Sequence, residues 1–286
     1  MKFSKKNIIL FFVVIFASIL AVYFIYDNYI YLSTDNAQIE GHSTILSAKV
    51  GGYITKVNVI QGQKVKKGEI LVEIDDRDYV NALKQAKYNL SSLSAKLRDA
   101  ESIFKRTESL FNTGASTKQQ YDTNFANVSD LRAQKESLET IISQAELNLE
   151  CTKIIAPTNG IISKKSAEVG QLASLGTSLI GFVDTNERWV TANFKETEIE
   201  YLKLGQEVDI EVDAYTNKKY KGNVSSISSA TGATFSLLPP DNATGNFTKV
   251  VQRVPVRINL NSLSENDIEL LKNGLSAFVK LKKHRN

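Results

Sequence analysis

Two stretches of the chain, Ala48 to Asp76 and Ala156 to Asp184, align with each other at one constant offset and without a gap. AKVGGYITKVNVIQGQKVKKGEILVEIDD stands over APTNGIISKKSAEVGQLASLGTSLIGFVD, with identities that include Gly52/Gly160, Ile54/Ile162, Gly62/Gly170, Gln63/Gln171, Gly68/Gly176 and Leu71/Leu179. Three paired glycines at matched spacing predict shared turns, because glycine alone takes positive φ freely. Each copy reads as three short strands joined by turns, with alternation visible from Tyr53 to Val59. Short strands in duplicate cannot each bury a face alone, so the two copies are expected to pack as one small β-sandwich.

What separates the copies is helical. Leu83, Ala86, Leu90, Leu93, Leu97, Ala100, Phe104, Thr107 and Phe111 recur at spacings of three and four, with charged and polar residues between them. That is a coiled-coil seam. Tyr121, Phe125, Val128, Leu131, Leu138, Ile142, Ala145 and Leu149 continue the habit, and Asn112-Thr113-Gly114 supplies a helix end between the two runs. Two helices of about 35 residues predict an antiparallel hairpin roughly 50 Å long. A rod of that kind has no globular core, so its purpose lies in reach or in contact along its length.

The outer parts of the chain differ in kind. Lys2, Lys5 and Lys6 precede an uncharged run from Ile8 to Tyr26, IILFFVVIFASILAVYFIY, followed by Tyr29 and Tyr31. At 1.5 Å per residue the run approaches the roughly 30 Å of a bilayer core, and the lysines mark its start as cytoplasmic. A cleaved signal peptide is the competing reading, but the run is long for one and no clear A-x-A site follows. Beyond residue 186 the pattern turns to short strands: Arg188 to Phe194, Glu207 to Asp213, Lys221 to Ile227, Val250 to Leu260 and Leu275 to Leu281. A helical segment at Glu196 to Leu202 and a short helix capped by Ser264 interrupt them, and the whole predicts a small β-barrel. The long loop from Thr231 to Lys249 carries Phe235, Leu237, Leu238 and Phe247. These either form an exporter-side or self-contact surface or fold back to seal the barrel.

Composition excludes more than it assigns. A net charge of +4, with basic and acidic residues interleaved, gives no argument for nucleic acid. The one basic cluster, Lys280, Lys282, Lys283, His284 and Arg285, closes the chain and reads as a solvated tail. Cys151 is the single cysteine and His42 and His284 the only histidines, so no disulfide, metal set or catalytic triad is visible. No catalytic residue, metal or cofactor is expected. Gly-Gln-x-Val-x-x-Gly at the first turn resembles the lipoyl or biotinyl carrier fold, whose modifiable lysine sits on the turn joining the halves. The helical insertion occupies that place here, which argues against a carrier.

Anchor, half-carrier, helical hairpin, half-carrier and barrel, in that order, resemble the periplasmic membrane fusion (adaptor) proteins of the HlyD family, EmrA-like branch. The strings that carry the likeness are TDNAQIEGH at 34 to 42, VKKGEILVEIDDRDY at 65 to 79, APTNGIISKKSAEVGQ at 156 to 171, ANFKETEIEYLKLGQEVDIEVDAY at 192 to 215 and GATFSLLPPDNATGNFTKVVQRVPVRI at 232 to 258. The implied fold is α+β, mainly β with a long helical hairpin. Its parts would be a transmembrane anchor at 1–32, lipoyl-like halves at 43–76 and 153–185, the hairpin at 77–152, and a barrel from 33–42 and 186–286. The resemblance implies no enzyme. It implies a single-pass inner-membrane protein of a Gram-negative bacterium, its bulk periplasmic, forming a ring of several copies. Such a ring links an inner-membrane exporter, of major-facilitator type, to a TolC-type outer-membrane channel in multidrug efflux. An adaptor of an ABC-transporter secretion system is the runner-up. The family's tip pattern, Arg-x3-Leu-x6-Ser, falls on Arg106, Leu110 and Thr117, with Thr117 keeping the hydroxyl and Gly114 and Ser116 beside it. Read without the family, Leu110 merely closes the coiled coil and Arg106 is solvated.

Overall fold

The computed structural model describes residues 29–232, 234 and 250–284, with Ile15, Phe16, Ser18 and Tyr26. Ile8 and most of the apolar run lie outside the described residues, as do Phe235, Leu237, Leu238 and Phe247. Among the described residues no helix is long and apolar enough to cross a membrane. The chain divides into two compact units, one from the N-terminus to His42 and from Asp184 onward, the other spanning Ser43–Val183.

In chain order the strands begin with β1 (Tyr31–Glu40), then β2 (Ser43–Ser47), β3 (Gly52–Val57), β4 (Lys64–Val65) and β5 (Ile70–Ile74). Helices α1 (Arg77–Asn112) and α2 (Lys118–Glu150) follow, then β6 (Lys153–Ile155), β7 (Gly160–Lys165), β8 (Leu172–Ala173) and β9 (Ser178–Asp184). The last stretch holds β10 (Trp189–Lys195), β11 (Glu207–Val212), β12 (Lys219–Ile227), β13 (Arg253–Leu260), α3 (Glu265–Leu270) and β14 (Ser276–Lys282).

The sandwich is made of two four-stranded sheets, β2-β9-β7-β4 and β6-β5-β3-β8, so each sheet takes two strands from each of the halves 43–76 and 153–185. The turns are exchanged as well. Gly68 N–H donates to the Ala156 carbonyl at 2.8 Å and its counterpart Gly176 to Ala48 at 2.9 Å; Gly62 donates to Ile162 and Gly170 to Ile54, both at 2.8 Å. All four glycines sit between φ +82° and +84°. Each half thus closes the other's turns, and neither can satisfy its backbone alone. The third glycine pair serves packing instead of a turn. A Cβ on Gly160 would stand 2.3 Å from the Phe182 ring, and one on Gly52 2.6 Å from Ile74. Leu71, Ile162, Leu179 and Phe182 fill the interior between the sheets.

β5 and β6 are neighbours in one sheet, pairing Ile70 with Ile155 and Glu73 with Lys153. The ends of the insertion therefore leave the sandwich side by side, which is what two antiparallel helices need. Tyr79 ties the foot of α1 to the sandwich by donating to the Gly51 carbonyl at 2.7 Å. Along the seam Ala86, Leu93, Leu97 and Ala100 of α1 and Val128 of α2 are buried. Lys87–Glu146 at 2.9 Å and Arg132–Glu101 at 2.7 Å bridge the helices outside it.

The other unit is a closed barrel, β1-β10-β13-β12-β11-β14, which leaves no open edge strand. Residues 33–42, which the resemblance assigns to the barrel, fall largely in a full barrel strand from Tyr31 to Glu40. Val208, Ile210 and Val212 point into a core with Ile39, Phe194, Ile258 and Leu271, while Glu207 and Asp209 face outward. The segment expected as a helix from Glu196 is a 3-10 turn ending at Tyr201. Ser264 caps α3 in a capping box with Asp267, whose carboxylate also binds Lys218. Lys218 and the Ser264 hydroxyl together hold the Asp267 carboxyl down at about 2. The strand expected from Leu275 to Leu281 is β14, and it runs on to Lys282, so Lys280 and Lys282 of the cluster read as a tail belong to a strand in which Ala277, Val279 and Leu281 alternate inward. Apolar alternation fixes that stretch as a strand despite its charge.

Candidate functional site

The hairpin turn is built from local capping chemistry. At the end of α1, Ala115 N–H donates to the Leu110 carbonyl at 2.8 Å and Gly114 N–H to Phe111 at 3.0 Å. Gly114, at φ +75°, makes this doubly bonded helix end possible. Thr117 then starts α2: its hydroxyl accepts from Gln120 N–H at 3.3 Å, and the Ser116 hydroxyl donates to the Gln120 side chain at 2.9 Å. Thr-x-x-Gln is a helix-start pattern in the sequence itself. It gives Thr117 a cap role that the family pattern alone did not.

Just below the turn the helices are fastened by aromatics. Phe104 lies 5.4 Å from Tyr121 and 5.8 Å from Phe125, and Phe111 lies 5.2 Å from Tyr121. Lys118 Nζ stands 5.1 Å from the Tyr121 ring centre and pairs with Asp122 at 2.9 Å, which raises the lysine's pKa. One seam position departs from expectation. Phe125 is 53% exposed, and the seam runs through Asn124, which donates to the Thr107 hydroxyl at 2.9 Å. Tyr121, Asn124, Val128 and Leu131 alternate spacings of three, four and three, an alternation that Phe125 breaks. A half-buried polar pair on the seam fixes helix register at some expense in stability.

The expected tip residues divide by role. Gly114, Ser116 and Thr117 build the turn. Arg106 and Leu110, one helical turn apart on α1, are free of it: Leu110 is 50% exposed, and Arg106 is exposed and forms no ion pair among the described residues. The Thr117 hydroxyl, having accepted from Gln120, still has its hydrogen to donate. The arrangement offers a forked cation, an apolar knob and a hydroxyl donor on a rigid turn, which is recognition chemistry, not reaction chemistry.

A split sandwich extruding a helical hairpin from between its halves, in a chain whose other unit is a six-stranded closed barrel, defines the membrane fusion (adaptor) class. The comparisons narrow it. Residues 43–185 match the family described as "RND MFP, barrel-sandwich hybrid domain". The chain is 34% identical to the "Colistin resistance protein EmrA" of Acinetobacter baumannii, over 91% of this chain and 88% of that one. It is 33% identical to the "Multidrug export protein EmrA" of Haemophilus influenzae, over 87% and 76%. Among solved structures, the membrane fusion protein Spr0693 of Streptococcus pneumoniae has the same fold, with a TM-score of 0.65 at 17% identity over 90% of this chain and 99% of that one. The chain belongs to the membrane fusion protein family, in its EmrA-like branch.

Proposed function

We propose that the chain is the periplasmic adaptor of a tripartite efflux pump, anchored in the inner membrane beside a major-facilitator-type drug exporter and docking a TolC-type outer-membrane channel through its hairpin tip. The observation that carries the docking end is the division of labour at the turn. Gly114, Ser116 and Thr117 stabilise the backbone, while the side chains of Arg106 and Leu110 are left exposed. An exposed leucine beside an unpaired arginine at the end of a rod is a contact surface. The printed names of the EmrA relatives, multidrug export and colistin resistance, support the efflux role. Energy then comes from the exporter, and this chain supplies tether, spacer and docking ends. Copies of one chain placed side by side close as a cyclic ring.

In-cell photocrosslinking tests the reading, with a probe placed in turn at Arg106, Leu110 and Thr117 and a control at the exposed mid-hairpin residue Lys96. The expected result is capture of an outer-membrane channel from the tip and little from Lys96. Capture only of the chain itself, or equal capture from Lys96, sinks tip docking. Co-purification of the neighbouring exporter, typed by sequence, decides between a major facilitator and an ABC transporter.

A further inference from the structure

The basic residues at the C-terminus have a structural setting that the adaptor reading does not use. At one end of the barrel, Lys283 N–H donates to the Ile30 carbonyl at 2.8 Å and His284 N–H to Tyr201 at 3.0 Å, and the Gln206 side chain donates to the Lys282 carbonyl. These bonds gather the start of β1, the 3-10 turn, the turn before β11 and the end of β14 around a recess of about 620 Å³. Lys280 Nζ stands 4.5 Å from the Tyr31 ring centre and Lys283 Nζ 5.5 Å from Tyr201. Lys203 and Lys282 are exposed nearby, and so is Leu204, at 68%. Tyr29 is 58% exposed. Among the described residues, Lys203, Lys280, Lys282 and Lys283 stand at this end with the acids Glu200, Glu207 and Asp209, and Asp209 lies in register with Lys280.

Exposed tyrosines, a leucine at a turn and lysines around them form the composition that suits a membrane–water interface: rings among headgroups, an apolar tip below them, cations on phosphates. Position in the chain adds to composition. The uncharged run ends at Tyr26, and Tyr29 already lines the recess. Three residues span at most about 11 Å, so a bilayer entered by that run lies within reach of this face.

We infer that this end of the barrel is a lipid-docking collar that rests on the membrane its own N-terminal run enters, with Leu204 and Tyr29 in the headgroup layer and Lys203, Lys282 and Lys283 on anionic headgroup phosphates. The inference rests on the anchor reading, and its test separates the two. A photoreactive residue replaces Leu204 in the full chain, with the similarly exposed Val169 of the sandwich as control. The chain is reconstituted into vesicles of phosphatidylglycerol and phosphatidylethanolamine, or of phosphatidylcholine alone, and captured lipid is weighed by mass spectrometry. Lipid capture at Leu204 is expected to exceed that at Val169 several-fold and to be greater on the anionic vesicles. Lys203→Gln, Lys282→Gln and Lys283→Gln should each lower it, by roughly five-fold per charge. Capture at Leu204 equal to that at Val169, or insensitive to both vesicle charge and the lysine substitutions, overturns the collar, and so does capture in cells of an exporter in place of lipid. Alkaline carbonate extraction of the same samples reports the anchor separately. A chain released by carbonate has no anchor, while its lipid capture still answers for the collar.

Discussion

The sandwich and the hairpin it carries are stabilised in opposite ways. In the sandwich, Leu71, Val72, Ile162 and Leu179 are fully buried, and the turns of each half are bonded by the other. In the hairpin, helices of 36 and 33 residues fully bury only Ala86, Leu93, Leu97, Ala100 and Val128, and the rest of the hold comes from half-buried seam residues such as Leu131, one polar pair, the aromatic clamp and exposed ion pairs. Exposed pairs contribute little each. The sandwich therefore tolerates no change of volume, whereas most of the hairpin's surface is free to vary. A contact surface can be written there without disturbing the fold.

The sharpest way to break that contrast is at the glycine pair that the repeat shares. Gly160→Val places atoms 2.3 Å from the Phe182 ring and 2.5 Å from the Val183 carbonyl, which cannot move aside. A loss of about 3 kcal/mol or more is expected, read as a collapsed thermal melt. Gly52→Ala, at φ +156°, brings its methyl 2.6 Å from the Ile74 Cγ2 and 3.6 Å from the Asp75 carbonyl, so with a smaller side chain and no backbone atom under 3 Å it should cost less than Gly160→Val. Equal effects would mean that the two halves do not pack as unequally as their neighbours indicate.

Leu97→Ala comes next. Leu97 is among the few buried seam residues, and its truncation should cost about 2 kcal/mol. Hydrogen exchange should show the loss in α1 and α2 and leave the sandwich strands protected. Spread of the loss into β5 and β6 would show that rod and sandwich unfold as one.

A smaller effect belongs to the barrel, whose one strongly shifted carboxyl among the described residues is Asp267, held at about 2 by Lys218 and Ser264. Its folded pKa lies below the ordinary value near 3.9, so its stabilisation is present above about pH 4 and is lost as pH falls toward 2. Asp267→Asn should lower the melting temperature at pH 6 and flatten its decline between pH 4 and 2. An unchanged decline would assign acid lability to other groups.

How far these parts were legible in the residues follows from the range of the interactions. The helix end at Gly114 and the strand positions of both repeat copies depend on local turns, and glycine spacing reveals them. The exchange of strands between copies does not show locally, because pairing partners lie far apart in the chain. Asn124 was hidden because a polar residue on the seam looks like a break, and neighbouring Phe125 offered an apolar substitute one position off period. At the tip, the identity of Arg106 and Leu110 came from family likeness, whereas the turn chemistry of Thr117 is written in Thr-x-x-Gln. At the end of the chain the alternation of Ala277, Val279 and Leu281 revealed the strand through Lys280, and charge misled only in assigning Lys280 and Lys282 to a tail as well.

The smallest structural effect separates turn-building from docking at one residue. Thr117 caps α2 by accepting from Gln120 N–H, and its hydroxyl hydrogen is what remains for a partner. Thr117→Ala removes both functions and should cost the hairpin about 1 kcal/mol. Thr117→Ser keeps both and should change neither stability nor channel capture. Thr117→Asp is the decisive variant: aspartate caps as well as threonine, but it has no proton to donate at neutral pH and adds a negative charge. Its melt should match the parent's, while channel capture from Leu110 falls several-fold. If capture survives in Thr117→Asp and drops only in Thr117→Ala, then Thr117 acts on the partner solely by holding the turn, and recognition lies with Arg106 and Leu110.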